Sequence, residues 1–206
     1  LIITGKGIEK EIKLSWEDLK TKFPKHTIVA TLQCAGNRRS EMSKVKNVKG
    51  LEWGNAAIGT AKWSGARLRD VLEYAGIKDI SNIKHVQFEG LDKDLTNTPY
   101  GASIPVQKAW DVNGDVLLAY EMNDVEIPRD HGYPVRLIAP GIVGARNVKW
   151  LGKIILSDEE SPSFWQQKDY KGYPSYVTFE DIEKEYKNAK SIQELPVQSA
   201  ICYPAD

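Results

Sequence analysis

Cysteine is nearly missing from this chain: Cys34 and Cys202 are the only two among 206 residues. Two cysteines make no disulfide framework. No CxxC, HExxH or Walker-type glycine loop occurs, which disfavours zinc and P-loop chemistry. Charge of one sign is also missing. Lys and Arg total 28 and Asp and Glu total 28, so no global basic field argues for nucleic acid, and any anion site must come from a local cluster. No run of about 18 apolar residues suggests a membrane span. Neither a signal peptide nor a transit peptide is visible. The chain opens at Leu1 directly on a strand-like LIIT, and is expected to be a piece of a longer polypeptide.

Hydrophobic residues at 41% and charged residues at 27% describe an ordinary globular chain rather than a disordered one. The length suits one substantial core, or one domain with a fragment of another. Residues 1–14 alternate in strand fashion, and Ser15 with Asp18 three positions on marks a capped short helix over WEDLKTKF. The β-branched run Thr27 to Leu32 predicts a strand that delivers Cys34 to a turn, CAGNRRS. Residues 43–66, with four glycines, read as irregular, and ARLRDVLEYAG reads as a helix ending at Gly76. Further strands are expected at 84–90, 116–123, 134–140 and 148–158, with a polar loop from Asp92 to Gly101 and a helix opened by Pro105. From Asp158 to Lys190 the composition predicts long loops and one short helix near FEDIEKEY. The interleaving is irregular and predicts an α+β fold.

Cys34 is the first candidate for chemistry. A free cysteine is often a small buried hydrophobe. This one lies beyond a strand, in a turn, with Arg38 and Arg39 close behind. A cysteine in cationic surroundings is a candidate thiolate, the natural ligand of a soft or redox-active metal. Nucleophilic catalysis is an alternative, but it needs a base, and only His26, His85 and His131 exist. His131 lies in the shaped loop RDHGYPVR, where a structural and a functional role are evenly matched. Arg38, Arg39, Arg129, Arg136 and Arg146 sit in turns or at strand ends. Singly each reads as a surface charge; together they suggest an oxyanion or phosphate pocket. Lys149, after the turn GARNV, reads locally as a solvated strand residue, although backbone amides of that glycine-bearing turn suit a phosphate. Tyr170 in KDYKGYP reads as a packing residue or as a neutral donor beside an anion.

Taken in order, FPKHTIVATLQCAGNRRSEM, VKGLEW, GARLRDVL, FEGLD, YGASIP, VLLAYEMN, PRDHGYPVR, PGIVGARNVKWLG, DYKGY and SIQELPVQSAI resemble the sulfite oxidase family of molybdopterin oxidoreductases. These blocks span most of the chain. The resemblance implies a mixed-sheet molybdopterin-binding domain over 1–190, with 191–206 opening an immunoglobulin-like dimerisation domain. It implies a molybdenum ion held by the dithiolene of a pterin, with Cys34 completing the sulfur ligation. Asp92, His131, Arg136, Asn147, Val148 and Lys149 fall where the family holds the pterin and its phosphate. Arg39 and Tyr170 fall where it lines the oxyanion pocket. The implied reaction is oxygen-atom transfer that converts sulfite to sulfate, with electrons passed to haem, cytochrome c or oxygen.

Eukaryotic nitrate reductase shares the CAGNRR core and is the nearest alternative. The segment Tyr170-Lys171-Gly172 and the wording SIQELPVQS favour sulfite. Two further alternatives are an inactive fragment and an anion-binding module without turnover. The family's fuller chain begins earlier, with a further active-site arginine; in animal members a haem domain precedes that, and a homodimer forms through the later domain. An animal-like member implies the mitochondrial intermembrane space, a plant-like one the peroxisome.

Overall fold

A computed structural model of the chain describes residues 1–203. Along the chain run β1 (Ile2–Gly5), β2 (Ile12–Lys13), α1 (Trp16–Thr21), β3 (His26–Gln33), α2 (Arg39–Val45), β4 (Ile58–Arg67) and α3 (Leu68–Tyr74). Next come β5 (His85–Lys93), β6 (Pro99–Pro105), α4 (Val106–Trp110), β7 (Leu117–Met122), β8 (Val125–Glu126), β9 (Arg136–Ile138) and β10 (Leu151–Ser157). The chain then adds α5 (Phe164–Gln167), β11 (Lys171–Gly172), α6 (Ile182–Glu185) and β12 (Lys190–Ser191).

Two sheets of five strands carry the fold, which is α+β. The first has the order β2-β1-β10-β5-β6 and is mixed, because β1 runs parallel to β10 while its other pairings are antiparallel. The second is antiparallel, in the order β3-β4-β7-β8, with β9 also paired to β7. Alternation along β7 and β9 divides the interior. Leu118 and Leu137 face the main core, which also holds Phe88 and Ile154; Leu117, Ala119 and Ile138 face a second cluster around Trp63. No helix among the described residues is long and apolar enough to cross a membrane.

The capping box at α1 forms as the sequence predicts: Ser15 Oγ accepts from the Asp18 amide, and the Asp18 carboxylate accepts from the Ser15 amide. Residues 43–66 depart from the expectation. They contain the end of α2 and most of β4, the longest strand of the chain at 10 residues. Of the four glycines that suggested irregular chain, Gly59 and Gly65 are strand residues, while Gly50 and Gly54 lie in irregular chain as expected. Gly65 sits at a register shift against β7, where a Cβ would come 2.1 Å from the Leu118 carbonyl oxygen, so only glycine permits that approach. The polar loop expected from Asp92 to Gly101 is also shorter. β5 extends to Lys93 and β6 begins at Pro99, and the Asp94 carboxylate closes the turn by accepting from the amides of Thr96 and Thr98. The strand expected over 134–140 contracts to Arg136–Ile138.

After β12 the chain stays on this body. Ile142 bridges to Glu194, and Leu195 N–H donates to the Gly141 carbonyl at 2.9 Å. Residues 204–206 of the segment assigned above to a following domain lie outside the described residues.

Gly65→Val is expected to destabilise the chain by about 1–3 kcal/mol, the usual cost of overpacking. A urea titration checks this, and an unchanged midpoint would mean that the β4–β7 contact yields freely.

Candidate cofactor and anion site

The end of β3 and a turn before β10 meet at the site. Cys34 follows β3 and is half-buried. Its N–H donates to the Ala57 carbonyl at 2.9 Å, and its carbonyl accepts from the Asn37 amide at 3.0 Å. The Gly36 amide lies 3.4 Å from Cys34 Sγ, directed at the sulfur. Arg38, at φ 62°, turns the chain into α2 and spends its side chain on Glu41. Arg39 goes the other way. Its guanidinium packs over Gly36 and Gly50, where a Cβ on either glycine would overlap it. It donates to the Leu51 carbonyl, while its Nε has no partner among the described residues.

The Gly144–Arg146 turn lies against the back of this loop. A Cβ on Gly144 would come 3.1 Å from the Gln33 carbonyl oxygen and 3.8 Å from the Cys34 nitrogen. On its other side the turn walls a cavity of about 260 Å³, whose lining includes Asp92, Tyr100, Arg136, Asn147, Val148 and Lys149. Arg136 is 6% exposed. It donates to the carbonyls of His131 and Asn147, faces the Trp63 ring at 5.1 Å, and leaves Nε unpartnered. Burial pulls its guanidinium down to about 10, because a cation loses its hydration there. Burial also lowers Lys149, and the Arg136 charge lowers it further. Among the described residues no carboxylate comes within ion-pair distance of Arg39, Arg136 or Lys149. Asp92 Oδ1 is buried without a donor. Tyr100 donates to the Ala145 carbonyl at 2.7 Å, and burial holds its phenol far above the ordinary range.

Three buried or half-buried cations without an ion-pair partner among the described residues, and a carboxylate oxygen without a donor, are costly alone. They are the complement of a ligand with anionic oxygens and N–H groups. A pterin bearing a phosphate has both. Cys34 places a sulfur, a soft donor suited to a metal, beside the same turn. The residues present therefore fit a molybdenum–molybdopterin group.

Of the residues singled out from the sequence, Cys34, Arg39 and Tyr170 come together: burial raises the Tyr170 phenol first, Asp169 and Cys34 raise it further, and Arg39 opposes this. Asp92, Arg136, Asn147, Val148 and Lys149 share the cavity. His131 is exposed, and it is its carbonyl that bonds Arg136. The Asn147 side chain is saturated by Ala139, Ile142 and Val143, so it shapes the turn. Arg129 is exposed. Arg146, grouped from sequence with the anion pocket, is instead fully buried. Its three nitrogens donate to the carbonyls of Ile192, Trp165 and Tyr170 at 3.0, 2.8 and 3.0 Å. Tyr100 and Trp150 line the cavity and carry no sequence signal beyond being aromatic.

The family profile "Oxidoreductase molybdopterin binding domain" matches residues 1–165. The chain belongs to that family. Mitochondrial sulfite oxidase of Mus musculus is 56% identical over 206 residues, covering 100% of this chain and 37% of that protein. The NADPH nitrate reductase of Fusarium oxysporum is 39% identical over 202 residues, covering 96% of this chain and 22% of that protein. The sulfane dehydrogenase SoxCD from Paracoccus pantotrophus superposes with a TM-score of 0.79 at 27% identity, covering 100% of this chain and 47% of that one. The chain thus spans little more than a third of the mouse relative. As a member of this family it is a molybdopterin-binding domain, the cofactor that the cavity and Cys34 fit.

Inorganic phosphate added to the cofactor-free chain is expected to raise its melting temperature, by the equivalent of about 1.4 kcal/mol at tenfold excess over Kd. Arg136→Gln should abolish that rise in a thermal-shift titration. A rise that persisted would move the anion site elsewhere. Arg146→Lys should cost about 3 kcal/mol or more in urea unfolding, because one ammonium cannot replace a fork that meets three buried carbonyls.

Proposed function

We propose that this chain is the cofactor-binding core of an enzyme that oxidises sulfite to sulfate. The observation that carries the reading is the placement of Cys34 against the turn that walls a cavity of unpaired cations. The greater identity to sulfite oxidase than to nitrate reductase, 56% against 39%, supports sulfite over nitrate.

In this reading Cys34 holds the molybdenum through its sulfur, with the Gly36 amide turned toward that atom. Arg136 and Lys149 hold the phosphate of the pterin. Asp92 accepts from a pterin N–H, and the Asn147–Lys149 turn shapes the floor. His131 acts through its carbonyl, which orients Arg136. The metal, when bound, supplies oxygen-atom transfer: sulfite and water become sulfate, two protons and two electrons. Arg39 neutralises the substrate dianion. Its buried guanidinium, with Nε free, is preorganised to do so, and preorganised charge is commonly a large catalytic contribution. Tyr170, held neutral by burial, donates to the same anion. The cofactor does the redox chemistry, and the protein orients it and tunes it.

Residues 191–206 open a following domain that supplies dimer contacts. The electrons leave toward cytochrome c or another acceptor, through haem where a haem domain is present. The mouse relative's name favours a mitochondrial setting.

Chain purified from a host that makes the cofactor should carry near-equimolar molybdenum and pterin by mass spectrometry and fluorescence, lost in Cys34→Ser with the fold intact by circular dichroism. Full molybdenum in Cys34→Ser would refute the ligand assignment. In the longer protein that contains this domain, turnover with sulfite and none with nitrate is expected. There, Arg39→Gln should raise KM for sulfite about tenfold or more, as loss of a charged contact worth about 1.4 kcal/mol or more would. An unchanged KM and kcat would remove Arg39 from the pocket.

A further inference from the structure

The Cys34 loop is held from outside by a part of the chain about 160 positions later. Asn37 Nδ2 donates to Gln198 Oε1 at 3.1 Å, and Gln198 Nε2 returns a bond to the Asn37 carbonyl at 3.0 Å. The two amides form a closed pair. The same Asn37 side chain accepts from the Ala57 amide at 3.0 Å through Oδ1, and Ala57's carbonyl accepts from Cys34 N–H. Asn37 is 5% exposed, with its amide side chain committed to these partners. Beside it, Arg38 donates to the Ser199 carbonyl. Gln198 therefore reaches Cys34 through Asn37, both by the Asn37 backbone amide that donates to the Cys34 carbonyl and by way of Ala57, without lining the cavity.

Upstream, the segment that carries Gln198 is anchored independently. Arg146 Nε holds the Ile192 carbonyl, Val143 N–H donates to Gln193 O, and Gln193 Nε2 donates to Ser103 O. None of these contacts meets the Cys34 loop. The Gly144–Arg146 turn and Gln198 thus bear on that loop from two directions, one against the backbone at Gln33 and Cys34, the other through Asn37.

We infer that Gln198 is a positioning residue for Cys34, setting the placement of the sulfur through its amide pair with Asn37. Its bearing on catalysis rests on the cofactor reading above; the positioning itself does not. Unlike a surface glutamine, it is held at both ends of its amide, and both bonds are lost together in Gln198→Ala. Gln198→Glu keeps the acceptor for Asn37 Nδ2 and loses the donor to the Asn37 carbonyl, so it serves as a graded variant.

The test uses the 206-residue cofactor-free chain in a Cys202→Ser background, which leaves Cys34 as the single thiol. The rate of Cys34 alkylation by iodoacetamide is measured under native conditions, with melting temperature as the check on folding. Gln198→Ala is expected to accelerate labelling about fivefold, the factor that corresponds to a net loss of about 1 kcal/mol. Gln198→Glu should fall between parent and Gln198→Ala. Gln193→Ala, which cuts an anchor of the same segment away from the loop, should leave the rate unchanged. Equal rates for parent and Gln198→Ala would overturn the inference. So would equal acceleration by Gln193→Ala and Gln198→Ala, since docking of the whole segment would then be the cause. Molybdenum content of the same variants from a cofactor-making host is read in parallel, and Gln198→Ala should carry less than parent. A parent without molybdenum would count against the cofactor reading, while the labelling rates would still decide the role of Gln198.

Discussion

The buried guanidinium of Arg146 is the contact on which the site depends. It meets three backbone carbonyls from positions far apart in sequence: Trp165 after β10, Tyr170 before β11 and Ile192 after β12. Those carbonyls belong to segments that no long strand or helix secures. Arg146 itself stands in the turn between the cavity and the Cys34 loop. One planar cation thereby gathers the cavity wall, the aromatic loop that carries Tyr170 and the chain that leads to Gln198. Among the described residues no carboxylate forms an ion pair with it. Carbonyl dipoles solvate it instead, and burial lowers its affinity for a proton. A guanidinium is suited to this because its fork of N–H groups points in fixed directions.

A second constraint separates this arginine from Arg39, Arg136 and Lys149. Arg146 has all three nitrogens engaged, whereas Arg39 and Arg136 each keep an unpartnered Nε, and Arg136 and Lys149 border open volume. In a chain with 28 cationic and 28 anionic residues, leaving these cations without carboxylates is a local choice rather than a global excess. Asp92 lines the cavity without an ion pair to them, and other acidic residues pair elsewhere: Asp18 with Lys22, Glu121 with Lys25, and Glu41 with Arg38.

Much of this was legible in the sequence, and the reasons differ by residue. The cap at Ser15 and the strand before Cys34 are local patterns, and both appear as read. Cys34, Arg39 and Tyr170 were readable together only through the ordered blocks that resemble one family, since 136 positions separate the first from the last. β4 was hidden because its glycines carry two meanings. Gly65 marks a close approach of backbones, which a single sequence does not distinguish from a turn. Arg146 was read as a ligand-facing charge, because an arginine in a glycine-bearing turn looks the same whether it meets a phosphate or three carbonyls. Only the positions of Trp165, Tyr170 and Ile192 tell the two apart. Tyr100 joins the cavity by the packing of β6 against the Gly144–Arg146 turn, a contact with no periodicity to reveal it.

The parallel pairing of β1 with β10 has a consequence in time. Residues 2–5 lie between residues 12–13 and residues 153–156, so the first strand gains its inner neighbour only when most of the chain exists. Contacts of such sequence separation close slowly, because the intervening loop must be ordered first. Until β10 is seated, β5 lacks the same neighbour on its inner edge, and the turn that precedes β10 has no frame to hold it. The anion cavity is consequently among the last features to form as the chain emerges and folds. A ligand entering that cavity would then meet a domain whose sheets are already paired, and its capture would act as a late lock on a slowly closing topology rather than as a nucleus for it.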